Sequence, residues 1–272
     1  MTSILRPLPP EAQAELAVAK RLLEAPGFAM QLANVIGAPI EGLMARLPRP
    51  AARLVDRASH KAVETAFEAA RRTLRDQTPG QVASPRLHKF AVAGTGAVGG
   101  FFGLPGLLVE LPVTTAAMLR SITDIARSEG ESAADPETRL ACLEVLALGG
   151  RRSDDDGAES GYFATRAALA QQVTAATRYV AGGMGSGSAP ALVQLVNGIA
   201  SRFSIPVTQK ALAQAAPLIG AATGATLNLI FINHFQSVAR GHFVVRRLER
   251  VHGLHEVRAA YATLAPAAAR KP

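Results

Sequence analysis

The chain has 272 residues, 49% of them apolar even without its 24 glycines, and 29 Lys and Arg against 21 Asp and Glu give it a formal net charge of +8. That length and apolar content bury a sizeable core without a disulfide or metal staple, and the single cysteine, Cys142, excludes an intramolecular disulfide framework and fits a reducing compartment. Alanine is the commonest residue and alternating apolar runs are almost absent, which predicts an all-α fold, a single multi-helix domain with Gly-rich, closely packed central helices.

Only five of the 29 cations are lysines, and an arginine-rich surface suits phosphate through bidentate hydrogen bonds. The N-terminal stretch has no apolar run before its first charges and no cleavage pattern, so it is not read as a secretory signal and a cytoplasmic protein is expected. Residues 10–25 and 28–46 read as two short amphipathic helices separated by Pro26 and Gly27. Pro48 and Pro50 then open a longer helix to about Asp76, with Leu54, Ala58, Val63, Phe67, Ala70 and Leu74 on its apolar stripe. Its opposite face carries Arg49, Arg53, Arg57 and Lys61 at strict four-residue spacing, a line of cations suited to anionic headgroups. Glu64, Glu68, Arg71 and Arg72 continue that face with mixed signs, as an ordinary salt-bridged surface does.

A Pro/Gly linker at 77–87 precedes residues 90–109, FAVAGTGAVGGFFGLPGLLV, a stretch with no charge and six glycines. Gly94, Gly96 and Gly99 fit the dinucleotide pattern G-x-G-x-x-G. The helix it should open meets Gly103 and Pro105 within three turns, and no acidic residue follows about 20 positions later. No dinucleotide is expected. Twenty uncharged residues meet the length of a membrane span, but a turn at Leu104-Pro105-Gly106 splits them into arms too short to cross, and Glu110 follows at once. A shallow hairpin stays open beside the third reading, a soluble helical core packed through small residues.

A helix over 112–128 ends at Gly130. Asp135 and Pro136 are an N-cap and N1 pair for the next helix, which stops at Gly149 and Gly150 and buries Cys142 as a structural thiol. Residues 151–161, RRSDDDGAESG, read as an exposed mobile loop. Helices are expected at 162–183, 190–203, 207–225, 226–252 and 254–264, with a flexible break at 182–190. From Ala211 to Ala239 there is again no charged residue. Ala216, Gly220 and Gly224 in this second run, like Gly96 with Gly100 and Gly99 with Gly103 in the first, have the spacing that lets two helix backbones approach closely.

The chemistry is sparse. Polar residues in or beside the uncharged runs, Glu110, Asn228, Asn233 and His234, must find partners, and Glu110, Arg120, Asn228 and His234 form a candidate polar cluster weighed as structural more than catalytic. Ser186 stands between Gly185 and Gly187, but the glycine positions of a G-x-S-x-G nucleophile elbow hold Met184 and Ser188. The histidines His234, His242, His252 and His255 match no zinc motif, so no metal and no cofactor are expected. No Walker lysine follows a glycine loop, and the cations lack interleaved aromatics, so nucleic acid is not an expected partner. Arg246, Arg247 and Arg250 join the headgroup-binding candidates.

The segments GAVGGFFGLPGLLVELPVTTAAMLRSITDIARSEGE (96–131), TRLACLEVLALGG (138–150) and SRFSIPVTQKALAQAAPLIGAATGATLNLIFINHFQSVARGHFVVRRLERVHG (201–253) resemble the EcsC family of bacterial proteins. Family-like positions are Glu110, Pro112, Arg120, Arg202, Phe203, Lys210, Gly220, Asn228, His242, Phe243, Arg246 and Arg247. The resemblance implies an α-helical protein with a link to the membrane, through an anionic lipid surface or a membrane transporter component, and it supplies no catalytic residues. The expected organisation is a set of N-terminal amphipathic helices in residues 1–85 packed on an EcsC-like helical core in 86–265. The expected function is a binding or accessory protein peripheral on the inner membrane. The competing reading is a hydrolase or other enzyme built on the Glu110 cluster.

Overall fold

In a computed structural model the described residues are 6–24, 28–37, 40, 44, 47–73, 103–150, 161–181, 189–215 and 221–264. They form nine helices and no strand, which is the all-α fold that the composition predicts. The helices are α1 (Pro10–Glu24), α2 (Phe28–Ile36), α3 (Arg49–Thr73), α4 (Gly103–Ser128), α5 (Pro136–Leu148), α6 (Gly161–Ala181), α7 (Ala189–Ala215), α8 (Ala221–His252) and α9 (Leu254–Thr263). They pack into one domain. Helix α5 sits at its centre and is buried on every side from Leu140 to Leu148, as expected of a helix that is apolar all round. Cys142 is within that buried stretch, and burial pushes its thiol up to about 12, which leaves it an inert packing group.

Helix α5 begins where its cap places it, with the Asp135 side chain accepting from the Glu137 N–H at 3.0 Å and Pro136 at N1. It ends at Gly149 and Gly150 because α7 and α8 come too close for a side chain. A Cβ on Gly149 would strike the Phe235 ring, and one on Gly150 would strike the backbone carbonyl of Arg202.

The longest helix, α8, has 32 residues and so runs about 48 Å. Its buried positions Leu227, Phe231, Phe235, Val238 and Phe243 recur every three to five residues. They meet α1, α2, α4, α5 and α7. Phe231 and Phe235 lie 5.1 Å apart, with Phe28 of α2 5.5 Å from Phe231 and Phe203 of α7 5.5 Å from Phe235. Four rings from three helices thus form one edge-on cluster at the core.

Two helices depart from the sequence expectation at prolines, and α8 starts at Ala221 where a helix over 207–225 was expected to run on. Helix α4 starts at Gly103 rather than Pro112, with no turn at 104–106. Pro105 falls in its first turn, where the N–H groups have no intrahelical acceptor in any case, so proline costs nothing there. Pro112 and Pro206 both lie inside helices, and α7 runs unbroken through Pro206 where two helices were expected. Burial of the apolar flanks of both prolines outweighs the ~3 kcal/mol interior penalty. Of the residues of the predicted glycine crossing, Gly103 opens α4 and Gly224 lies in the first turn of α8, while Gly96, Gly99, Gly100, Ala216 and Gly220 lie outside the described residues, as do the loop at 151–160 and the linker at 77–87.

Lys20 ties the first helix to the last. Its ammonium donates to the carbonyls of Tyr261 and Leu264, each at 3.0 Å, and lies 4.7 Å from the centre of the Tyr261 ring. A cation at a helix C-terminus satisfies carbonyls that the helix itself cannot. Among the described residues no helix is long and apolar enough to cross a membrane.

Candidate functional site

Glu110, in the third turn of α4, does not wait for a substrate. Its carboxylate lies 2.6 Å from the ammonium of Lys210 on α7, with both side chains buried. Thr114, one turn on, donates to the same oxygen at 3.4 Å, and the Lys210 ammonium lies 5.1 Å from the centre of the Phe231 ring. Burial pulls the Lys210 ammonium below its ordinary range, and the adjoining Glu110 carboxylate opposes that shift. A charge so deeply desolvated persists only with its counter-charge in contact. The clefts bounded by described residues include one of about 260 Å³ lined by Arg6, Leu16, Glu256 and Leu264, and a shallow one along Ala170, Thr174 and Arg178. Glu110 lines neither.

The other members of the predicted cluster lie on α4 and α8. Asn228 is fully buried in α8, Arg120 is exposed on α4, and the half-buried His234 donates from Nε2 to the Gly149 carbonyl at 2.8 Å. The His234 ring packs between Phe28 and Phe235, at 5.2 and 5.1 Å, so its role is to cap the end of α5. Helical geometry separates these residues. Asn228 and His234 are six positions apart, about 240° round one helix, and Glu110 and Arg120 are ten apart, about 15 Å along another. Glu110 and Arg120 are therefore not neighbours on α4, nor are Asn228 and His234 on α8.

A second polar network was not anticipated as a unit. Arg166 of α6 grips Glu249 of α8 in a two-pronged pair at 2.7 and 3.0 Å, and also reaches the Tyr162 hydroxyl at 3.2 Å. That hydroxyl lies 3.0 Å from Nδ1 of the buried His242. Arginine can only donate, so the phenol accepts from Arg166 and shares a second hydrogen bond with Nδ1 of His242. Burial holds this imidazole well below its ordinary value, with the Arg166 and Arg246 charges adding to the effect. Burial also raises the Tyr162 phenol above its ordinary value. Glu144 of α5 lies within the field of the same groups. Burial pushes its carboxyl up to about 7, with Arg166 and Arg246 opposing and Glu249 adding. The sequence signal for this network was His242, Arg246 and Glu249 at i, i+4 and i+7 on one helix. Its members come from α5, α6 and α8, and they fix how those three helices cross.

The predicted headgroup-binding residues divide into two groups. Arg246 pairs with Glu131 at 2.9 Å and Glu137 at 3.3 Å, Arg247 with Glu129 at 2.7 Å and Glu15 at 3.0 Å, and Arg250 with Glu131. Thr138 donates to Glu131 at 2.7 Å. Despite the desolvation of that carboxylate, the guanidiniums and this hydroxyl hold it below its ordinary value. These three arginines clamp the α4–α5 junction and α1 onto α8. Arg49, Arg53, Arg57 and Lys61, by contrast, are all exposed along α3. Among the described residues none of these four forms an ion pair. The buried side of α3 is Val55, Ala58, Ala62, Val63, Ala66 and Ala70, with Leu54 and Phe67 only half-buried. The cation line is thus turned away from the core.

A sequence model of the EcsC protein family matches residues 14–248. No curated protein and no solved structure matches the chain.

Proposed function

The chain belongs to the EcsC protein family, and we propose that within it this protein works as a binding or accessory protein that docks reversibly on the anionic cytoplasmic face of a membrane. The observation that carries this reading is the line Arg49, Arg53, Arg57 and Lys61, exposed over three turns of α3 with no carboxylate of the described chain in contact. The line is about 18 Å long, and its charges reinforce one another toward a surface of phosphates. Each cation near an anionic leaflet contributes about 1 kcal/mol. Four together give on the order of a thousandfold preference for that surface over neutral lipid.

An enzymatic reading around Glu110 has less support, because its carboxylate is taken by Lys210 and both are out of solvent. The polar side chains around His242 join three helices, with Arg166 held by Glu249 and the Tyr162 hydroxyl in contact with the imidazole. The docking reading is tested by co-sedimentation with vesicles of phosphatidylglycerol in phosphatidylcholine. Binding is expected at low salt and is expected to be lost as salt shortens the Debye length to ~3 Å near 1 M. Absence of pelleting at low salt would overturn the proposal.

A further inference from the structure

Beside α3 in the fold, α4 presents an exposed line whose two ends differ in chemistry. Val109 is 74% exposed and Val113 is 53% exposed. Ala116 is half-buried and Arg120 exposed on the same helix. At 100° per residue these four positions fall within about 60° of one another, so they form a single stripe about 16 Å long. Large aliphatic side chains at one end give way to a guanidinium at the other. Helix α3, which carries the cation line, makes its most extensive helix contact with α4, and the thirteen residues preceding α4, 90–102, carry no charge.

Single exposed valines are common on any surface. Two on one helical line, in register with a cation three turns away and on the partner helix of a four-cation line, have the arrangement of an interfacial element. Such an element puts aliphatic groups into the acyl boundary and a long basic side chain at the phosphates. We infer that the N-terminal end of α4 is a shallow insertion element. Val109 and Val113 enter the acyl region of an anionic membrane, and Arg120 meets the headgroups. This inference rests on the docking reading above and adds depth to it, for the cations of α3 bring the protein to the surface and the valines of α4 hold it there. The occupant is a lipid surface rather than a protein, because Arg120 on the same line and the four exposed cations on the adjoining helix α3 are of the sign that phosphate attracts.

The chain contains no tryptophan, so an introduced one reports from a single place. Val109→Trp and Val113→Trp are made separately in the full chain, at positions exposed enough to tolerate the ring. Their emission is followed on adding phosphatidylglycerol vesicles, with and without lipids brominated high on the acyl chain, while co-sedimentation is measured on the same samples. The expected result is a blue shift and quenching by the brominated lipid for both. Alongside it, Val109→Asp with Val113→Asp should weaken vesicle affinity at least about tenfold, since insertion removes aliphatic area from water. Vesicle-bound protein whose tryptophans stay water-like, and whose aspartate variant binds unchanged, would overturn insertion while leaving docking intact. No pelleting of the wild type removes the docking reading itself, and the insertion inference with it. Val109→Trp and Val113→Trp that differ, one shifted and one not, would also contradict a shared line.

Discussion

At the scale of single residues, the ionisable side chains in the core behave as structural elements, and their energetics can be measured. Removing one partner of a buried pair strands the other charge, so Lys210→Met alone should cost about 3 to 5 kcal/mol. Because two well-packed apolar side chains can replace an ion pair at little cost, adding Glu110→Leu should restore most of it. A denaturant double-mutant cycle checks this, and additive losses would contradict the pairing. Glu144 makes a pH prediction with a definite sign. Its folded carboxyl keeps a proton up to about 7 against an ordinary value of 4.5, so the folded state binds more protons in that window and stability falls as pH rises through it. His242 works the other way. Its folded value is depressed, so stability is lost as pH falls below about 6.5. Glu144→Gln removes only the first effect. Relative to the wild type, the variant should gain on the order of 3 kcal/mol between pH 5 and pH 8, read by urea unfolding at both values. A pH-independent difference would show that Glu144 titrates as an ordinary carboxylate.

At the scale of elements, much of the fold was legible because caps and punctuation are local. Asp135 with Pro136, and Gly149 with Gly150, bounded α5 correctly from sequence. The prolines misled for the opposite reason. Whether Pro112 or Pro206 ends a helix is decided by how much apolar surface lies on either side, and that is settled in three dimensions. Gly150 shows the same dependence. It reads as a stop signal, yet it is also where α7 passes, and a Cβ there meets the Arg202 carbonyl. Pro206 supplies no N–H to that carbonyl, so one residue type shapes the surface that another must approach. Gly150→Ala should lower stability by about 1 to 3 kcal/mol, because a backbone has to move. An unchanged unfolding midpoint would mean that α5 and α7 are further apart than described. The candidate site was harder to read than the elements. Glu110 and Lys210 were both among the family-like positions but were not paired, although the first uncharged run ends at Glu110 and the second begins just after Lys210. Two charges bounding two apolar runs meet when the runs share a core, but only their pairing in space identifies that contact.

At the scale of the whole molecule, the basic charge is divided between cohesion and surface. Arg166 holds Glu249 of α8, and Arg246, Arg247 and Arg250 hold carboxylates of the α4–α5 junction, which is why the C-terminal arginines do not offer the free face that their sequence suggested. Net charge alone therefore does not identify a docking surface. The proposal assigns it to the line on α3, and a matched pair of variants separates the two explanations. One converts Arg49, Arg53, Arg57 and Lys61 to Gln. The other converts four exposed arginines elsewhere, Arg6, Arg21, Arg178 and Arg240, to Gln. Each lowers the formal net charge from +8 to +4. If the outer face of α3 is the docking surface, affinity for phosphatidylglycerol vesicles falls by at least about a hundredfold in the first variant, at roughly 1 kcal/mol per cation. In the second it falls only a few-fold. Equal losses in the two would contradict the account and assign any membrane attraction to net charge.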